Sequence, residues 1–165
     1  MNNTKSRIKS ACFSSPVGAL EVTATQKGVS SLYFAGETFP TEEPSGILRE
    51  CADQLQEYFN GKRKEFNIPM DLQGTEFQIK VWNELINITF GETISYLELS
   101  KRVGDVKAIR AVGNANGKNP VSIIVPCHRV IGSNGKLIGY GGGLWRKRWL
   151  LEFERSFIRK DLFSF

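Results

Sequence analysis

The first part of the chain alternates apolar and polar residues, which is the pattern of strands that bury one face. Between residues 8 and 35 the apolar positions fall into three short runs: Ala11 and Phe13; Leu20, Val22 and Ala24; Val29, Leu32 and Phe34. Turn-forming residues at 16–18 and 27–28 separate these runs. The pattern predicts a small antiparallel meander of strands.

Helical spacing replaces the alternation after residue 46. Apolar residues within 47–59 recur three or four positions apart, and Asn60-Gly61 is a typical helix end. Cys51 lies on the apolar face of this predicted helix and Cys12 lies in a predicted strand, so we interpret both as structural residues. Residues 66–74 predict a short strand followed by a linker.

The region from residue 75 to 117 predicts helices. Thr75 and Gln78 fit a capping box, and the apolar stripe that follows predicts a helix that ends before residue 90. A short helix is predicted from Tyr96 to about Arg102, ending at Gly104, and another covers roughly residues 106–116. Two short helices joined by a tight glycine turn are typical of a helix-turn-helix. The spacing is weak support by itself, because many helical proteins share it.

Residues 121–131 read Val-Ser-Ile-Ile-Val-Pro-Cys-His-Arg-Val-Ile. The apolar run predicts a strand that ends at Pro126, because proline cannot donate a ladder hydrogen bond. Cys127 is thereby placed at the edge of a core, next to His128, the single histidine of the chain. Residues 133–136, Ser-Asn-Gly-Lys, predict a hairpin turn between 130–131 and 137–138.

The C-terminal part predicts one more helix. Residues 139–143 are rich in glycine, which indicates unusual backbone angles or close backbone approach. A helix from Leu144 to about Phe157 would present Trp145, Trp149 and other apolar side chains on one face. We assign Trp82 and these two tryptophans to the core.

Length and composition restrict the class of protein. The chain has 165 residues, enough for one domain or two small ones that share a core. It contains no apolar run of about 18 residues, which excludes a membrane span, and its N-terminus lacks the features of a secretory signal. Three widely spaced cysteines without a CxxC pair favour a reducing compartment, and a single histidine excludes a histidine-rich metal site.

Charge is distributed unevenly along the chain. Residues 1–100 carry 9 Lys and Arg against 13 Asp and Glu, a net of −4, whereas residues 101–165 carry 13 against 4, a net of +9. A basic second half indicates a polyanionic partner, with nucleic acid first. The alternative from charge alone is a solvated basic face that improves solubility.

Cys127 and His128 are the residues best suited to chemistry. A thiolate is a strong nucleophile, and a neighbouring imidazole can remove its proton. The two side chains could pair directly through a bend or through a water molecule. Of the two carboxylates in the last helix, Glu154 rather than Glu152 falls on the packed side. In an isolated Cys-His dipeptide, a core cysteine beside a surface histidine would be the more common arrangement.

The sequence pattern around Cys127 and His128 favours a chemical role for the cysteine over a structural one. Residues 126–131, Pro-Cys-His-Arg-Val-Ile, resemble the active-site motif of the O6-alkylguanine-DNA alkyltransferases. The resemblance runs in order and at matching spacing over residues 75–155, through the following blocks: Phe77 with Val81-Trp82, residues 91–96, residues 110–113, Asn119-Pro120, and Gly139-Tyr140 with Gly142-Gly143. The first 70 residues match that family only in general character.

The resemblance implies an α/β (α+β) fold in two parts. Residues 1–72 would form a small ribonuclease-H-like α/β domain. Residues 73–165 would form a mainly helical, winged-helix-like domain with a helix-turn-helix, which binds DNA and carries Cys127. We expect no structural zinc, since some members bind zinc in the N-terminal domain but this chain lacks the residues for it.

The resemblance also implies the activity. The protein would repair double-stranded DNA by moving an alkyl group from guanine O6 irreversibly to its own Cys127, acting once per molecule and without a cofactor. O4-methylthymine is a possible second substrate. We expect a cytoplasmic monomer.

Residue roles follow from the same resemblance. Cys127 would be the alkyl acceptor and His128 its base through a water, with Glu154 orienting the imidazole. Tyr96 would donate a proton to guanine N3 and also contact the DNA. Contacts to DNA are further expected from Arg110, which would fill the space left by a flipped nucleotide, and from Ala111 and Lys107. Substrate contacts or support are expected from Asn119, Val125, Gly141 and Gly142.

Two other classes of function compete with the transferase. A damage sensor would bind modified DNA and leave Cys127 free, although related sensors often carry tryptophan at that position. A cysteine hydrolase or thiol redox protein would use the same two residues on small substrates, without dependence on DNA. The basic second half of the chain argues against this last class.

Overall fold

The computed structural model describes residues 8–37 and 41–163. Residues 1–7, on which the expected absence of a secretory signal rests, lie outside the described residues. The chain divides into two compact units, Met1–Gln73 and Gly74–Phe165. Each unit contains its own buried core, so each is described separately.

The first unit is built on an antiparallel sheet of strands β1 (Lys9–Ser15), β2 (Gly18–Ala24) and β3 (Val29–Phe34), in the order β1-β2-β3. The alternating positions Leu20, Val22 and Leu32 are fully buried, because successive side chains of a strand point to opposite faces. Helix α1 (Ile47–Phe59) contacts all three strands and buries an apolar face that includes Cys51. The predicted meander and helix are both confirmed.

The predicted strand within residues 66–74 is wrong. Only an isolated parallel bridge forms there, between Val29 and Met70. Pro69 interrupts the ladder because it lacks an N–H group, although its carbonyl accepts from Val29 N at 2.9 Å. The segment is held instead by the side chain of Gln54, whose amide donates to Asn67 O and accepts from Asn67 N.

The second unit begins with three helices. Helix α2 (Glu76–Ile86) starts with the predicted capping box of Thr75 and Gln78. Helix α3 (Tyr96–Val103) ends at Gly104, whose φ of 102° is the left-handed conformation of a glycine cap. A 3₁₀ turn then leads into α4 (Ile109–Gly117). The three helices contact one another, and Trp82 in their core donates to Ala115 O at 2.8 Å.

The predicted strand over 121–125 and the predicted hairpin at 133–136 are both wrong. Residues 121–125 form consecutive tight turns, in which Ile124 N donates to Ser122 O and Val125 N to Val121 O. A turn does form at 132–136, but strand β5 (Val130–Ile131) pairs in parallel with β4 (Ile94–Ser95) rather than with 137–138. A short apolar run indicates burial and does not distinguish a strand from a buried turn.

Helix α5 (Leu144–Phe163) is longer than predicted and extends six residues past the expected end near 157. Its fully or nearly buried residues are Lys147, Leu150, Leu151 and Glu154, spaced as one helical face. Trp145 lies off that face and is 55% exposed, so its assignment to the core is wrong. Trp149 is half-buried and Trp82 is buried as expected. Among the described residues, no helix is long and apolar enough to cross a membrane.

The capping box of α2 gives a test of the second unit. Replacing Thr75 by alanine removes the acceptor for Gln78 N, so we expect the free energy of unfolding to fall by about 1 kcal/mol. Thr75→Ser keeps the hydroxyl and should retain most of the stability. Urea unfolding followed by tryptophan fluorescence reports this unit, because all three tryptophans lie in it. Equal midpoints for the wild type and the alanine variant would show that the cap contributes nothing.

Candidate active site

A tight backbone turn presents Cys127. Pro126 has φ −83° and ψ 61°, and Cys127 N donates across it to Val125 O at 2.8 Å. Cys127, His128 and Arg129 then form one 3₁₀ turn, in which Arg129 N donates to Pro126 O. The chain therefore bends at the cysteine instead of passing through it in an extended conformation. The Cys127 side chain is 5% exposed.

Asn119 braces the turns that precede the cysteine. Its side-chain Nδ2 donates to Val125 O at 2.7 Å, and its Oδ1 accepts from Val121 N at 2.9 Å. Between them lies Ile123, with a φ of 72° that is strained for a β-branched residue. The two hydrogen bonds of Asn119 hold this conformation, which fixes the backbone that carries Cys127.

The expected substrate contact at Val125 conflicts with this geometry. The Val125 carbonyl already accepts from both Asn119 and Cys127, and its N–H donates to Val121 O. A carbonyl oxygen has two lone pairs, so neither backbone group of Val125 is left to bind a base edge. Val125 therefore supports the turn and does not bind substrate through its backbone.

His128 and Glu154 form a buried pair. His128 Nε2 lies 2.8 Å from Glu154 Oε1, and both side chains are fully buried. An ionised carboxylate can only accept, so the neutral imidazole must carry its proton on Nε2 and keep a lone pair on Nδ1. Among the described residues, no protein group hydrogen-bonds to Nδ1. The imidazole is thus arranged to accept a proton at Nδ1.

Glu154 accepts from two further groups. Arg129 binds both carboxylate oxygens, with Nε 2.9 Å from Oε2 and Nη2 2.9 Å from Oε1, and Gly91 N donates to Oε2 at 3.1 Å. Burial alone would raise the pKa of Glu154, but His128 and Arg129 hold that pKa well below its usual range. The carboxylate is therefore ionised throughout the physiological pH range.

The environment opposes charge on His128 and on Cys127. Burial lowers the pKa of His128, against the opposing effect of Glu154. Burial also raises the pKa of the Cys127 thiol, although the side chains of Asn119 and Lys147 lower it in part. At neutral pH the thiol keeps its proton and the imidazole is uncharged, so Cys127 needs a base and a neutral His128 can provide it.

Lys147 belongs to this cluster, although the sequence did not predict a role for it. Its side chain is fully buried, and its Nζ donates to Ile138 O at 3.1 Å and to Gly139 O at 3.3 Å. Burial lowers its pKa to about 8, while the interaction with Cys127 acts in the opposite direction. The signal in the sequence is the register of α5: a lysine lies seven residues before Glu154 on the same helical face.

Tyr96 lies at the start of α3, where Ser95 caps the helix. Its hydroxyl donates to Ile138 O at 3.0 Å, the same carbonyl that Lys147 binds. Burial raises the pKa of Tyr96, and the charge of a Cys127 thiolate raises it further. The structure therefore brings Tyr96, Lys147 and residues 138–139 together near Cys127.

The glycine-rich segment 139–143 continues from this point. Gly143 N donates to Tyr140 O, and Gly142 O accepts from Arg146 Nη1 at 2.8 Å. Gly141 is exposed, and a Cβ added to it would meet nothing within 4 Å. The space beside Gly141 is open, whereas the carbonyl of Gly142 already has a partner.

Besides Tyr96, the residues expected to contact DNA lie on the helix-turn-helix segment of the second unit. Lys107, Arg110 and Ala111 are exposed on the 3₁₀ turn and the first turn of α4. Asp105 caps this turn by accepting from Lys107 N at 2.9 Å. These side chains form part of an exposed basic surface and take no part in the hydrogen bonds around Cys127.

No metal centre is evident among the residues that the structure describes: they contain no group of three or more His, Cys, Asp or Glu side chains that could hold an ion. His128 hydrogen-bonds to Glu154 through Nε2, and all three cysteines are free thiols.

The chain matches known families over nearly its whole length. Residues 8–72 match the model described as the ribonuclease-like domain of 6-O-methylguanine DNA methyltransferase, and residues 76–156 match the model of the DNA binding domain of that enzyme.

Individual relatives agree with the family models. The chain is 46% identical over 157 residues to the methylated-DNA–protein-cysteine methyltransferase of Mycobacterium bovis, covering 92% of this chain and 94% of the relative. It is 45% identical over 152 residues to the enzyme of the same name from Methanosarcina acetivorans, covering 88% and 97%.

Solved structures show the same similarity. The crystal structure of Mycobacterium tuberculosis O6-methylguanine methyltransferase superposes with a TM-score of 0.82 at 45% identity, covering 91% of this chain and 94% of that one. The Mycobacterium tuberculosis OGT structure in complex with DNA gives a TM-score of 0.81 at 45% identity, covering 90% and 93%.

The reactivity of Cys127 tests the electrostatics of the site. Lys147→Met removes the buried cation that lowers the pKa of Cys127, so that pKa should rise and less thiolate should form at pH 7, where Lys147, with a pKa of about 8, is mostly protonated. A rise of one pKa unit corresponds to about a tenfold slower reaction with iodoacetamide. The rate is measured by peptide mass spectrometry at Cys127.

Lys136→Met serves as the control, because Lys136 is exposed and its loss should leave the rate unchanged. Equal rates for the two variants would mean that Lys147 has no electrostatic effect on the thiol.

Proposed function

The chain belongs to the 6-O-methylguanine DNA methyltransferase family, and from that membership we propose that it repairs DNA by transferring the alkyl group of O6-alkylguanine to the sulfur of Cys127. It is accordingly a methylated-DNA–[protein]-cysteine S-methyltransferase. The observation that carries the proposal is a buried thiol on a fixed turn, followed directly in the chain by a carboxylate-oriented imidazole.

The transfer is a single displacement at carbon. The Cys127 sulfur forms a bond to the alkyl carbon while the bond from that carbon to guanine O6 breaks. The thiol proton passes to Nδ1 of His128, directly or through a water molecule, and the electron pair of the broken bond leaves with guanine. Tyr96 supplies a proton to guanine N3, exchange with water moves that proton to N1, and the thiol proton held by His128 returns through water to the Tyr96 phenolate. The net products are unmodified guanine and an S-alkylcysteine. The hydrogen bond of Tyr96 to Ile138 O breaks as its hydroxyl turns to the base.

Each molecule acts once. The product is a thioether, which neither water nor a thiol displaces under physiological conditions. Among the other cysteines, Cys51 is fully buried in the core of the first unit, where burial raises its pKa to about 12. Cys51 therefore offers little thiolate, and the stability of the thioether makes the transfer inactivate the protein.

The exposed basic surface of the second unit binds the DNA. It comprises Lys101, Arg102, Lys107, Arg110 and Lys118, all exposed on or beside α3 and α4. Contacts of this kind bind phosphates without sequence preference and weaken with salt, which suits a protein that must scan any sequence. The small residue Ala111 allows close approach of α4 to a groove.

A base must leave the duplex to reach a buried thiol. Flipping a nucleotide costs roughly a few kcal/mol, and a side chain that fills the vacated stack offsets part of that cost. Arg110 is exposed on the first turn of α4 and takes this role. Tyr96 and the segment around Gly141 receive the flipped base, while Asn119 supports the turn that carries Cys127.

Several finer features belong to the same proposal. We assign residues 1–72 and 73–165 as the two domains, and we propose that the protein acts as a monomer in the cytoplasm, where its free cysteines remain reduced. O4-methylthymine is included as a second substrate, because its alkyl group is also carried by an exocyclic oxygen.

Intact mass measurement tests the transfer. After incubation with a duplex that contains one O6-methylguanine, we expect the protein to gain the mass of a single methylene, with a methyl group on Cys127 by peptide mapping. The gain should stop at one per molecule and be absent in Cys127→Ala. The matched control Cys51→Ala should still gain one methyl group.

An unchanged mass in protein that binds the damaged duplex tightly would contradict the transfer and favour a damage sensor. Removal of more than one methyl group from DNA by a single protein molecule would contradict the proposal that each molecule acts once.

A further inference from the structure

Arg129 is a buried charged side chain of the second unit whose guanidinium makes three hydrogen bonds. It is 5% exposed, and its guanidinium donates to both oxygens of Glu154 and to Ile88 O at 2.6 Å. Its carbon Cζ also lies 5.8 Å from the centre of the Phe90 ring. No role for Arg129 is contained in the transfer described above, although it follows His128 directly.

Arg129 and His128 compete for the same acceptor. His128 Nε2 lies 2.8 Å from Glu154 Oε1, and Arg129 Nη2 lies 2.9 Å from that same oxygen. In a pair without the arginine, the full negative charge of a buried carboxylate would stabilise a charged imidazolium. Here the guanidinium offsets the charge of the carboxylate. Glu154 therefore still orients the imidazole, but it raises the pKa of His128 less than an unpaired carboxylate would.

We propose that Arg129 is a positioning residue of the transfer reaction, which shares the Glu154 carboxylate so that His128 stays neutral and keeps an unprotonated Nδ1. The arrangement separates two effects that a lone carboxylate would combine, namely the orientation of the ring and the increase of its basicity. The inference rests on the proposed function, because a role in transfer requires that transfer occurs. Its measurable consequence is the protonation state of His128 alone.

The three charges that act on His128 come from two elements. Glu154 and Lys147 lie on α5, and Arg129 lies on the turn of His128 itself. Burial is the largest cause of the low pKa of His128; Glu154 opposes it, whereas Arg129 and Lys147 add to it. Removal of Arg129 should therefore raise the pKa of His128. Because the neutral form is the active base, the acid limb of the transfer rate should move to higher pH.

The single histidine of the chain makes the test direct. Imidazole ¹⁵N NMR resonances of His128 report both its tautomer and its titration midpoint without assignment ambiguity. We expect a neutral ring protonated on Nε2 in the wild type. In Arg129→Gln the midpoint should rise by about one pH unit or more, the range for loss of a neighbouring charge. Transfer should then slow at pH 6 and change little at pH 8.5.

Arg129→Lys is the matched control, because it keeps the positive charge and loses the forked geometry. Its His128 midpoint should stay within about half a unit of the wild type. Midpoints that are equal in the wild type and Arg129→Gln, with the same tautomer, would overturn the inference and leave Arg129 a structural residue.

Should Arg129→Gln fail to fold, the wild type alone decides. As the pH is lowered, the Nε–H resonance of Arg129 should shift with the same midpoint as the His128 ring, since both groups share one carboxylate. An Arg129 signal that ignores the His128 titration would overturn the inference. Because these readouts need no DNA, a protein that transfers no alkyl group would refute the proposed function and leave this result unaffected.

Discussion

The structure of the active site depends on one buried carboxylate. Glu154 is fully buried and accepts from His128, from both arms of Arg129 and from the backbone N–H of Gly91. An unpaired charge in such a place would cost several kcal/mol, so these partners are required by the fold as well as by the chemistry. Through them α5 is joined to the turn after Pro126 and to the segment before β4. The position of Cys127 follows from this connection.

Burial creates a conflict that the surrounding residues resolve. A site that excludes water protects the thiol and strengthens hydrogen bonds, yet it also disfavours the thiolate that must attack the alkyl carbon. The cation of Lys147 and the side chain of Asn119 offset part of that penalty. In the proposed mechanism, neutral His128 accepts the proton. In that mechanism a free thiolate does not have to form beforehand. Negative charge develops as the sulfur bonds to the alkyl carbon, and it leaves with guanine.

Local signals predicted much of the fold. The capping box at Thr75, the glycine at 104 and the register that places Glu154 inward are set by neighbours in the sequence, and the structure contains each of them. Residues 121–125 form turns instead of a strand because Asn119 satisfies their backbone, which apolar spacing does not reveal. Lys147 is buried because its partners, Ile138 O and Gly139 O, lie outside its own helix, whereas Trp145 lies off the buried face of that helix. Charged residues are rarely buried and tryptophans are usually buried to a large extent, so residue type alone assigns both side chains to the wrong place.

The claim that a carboxylate-oriented imidazole activates the buried thiol is tested most directly by His128→Gln. Glutamine has a similar size and can still hydrogen-bond to Glu154, but it cannot accept the thiol proton. The measurement is the single-turnover rate of methyl transfer from a duplex containing O6-methylguanine, at saturating protein and at pH 7.5. The account predicts a fall of about 10²-fold or more, the usual contribution of a general base, with unchanged affinity for the duplex. A rate within a few-fold of the wild type would contradict it and show that the thiol is activated without His128.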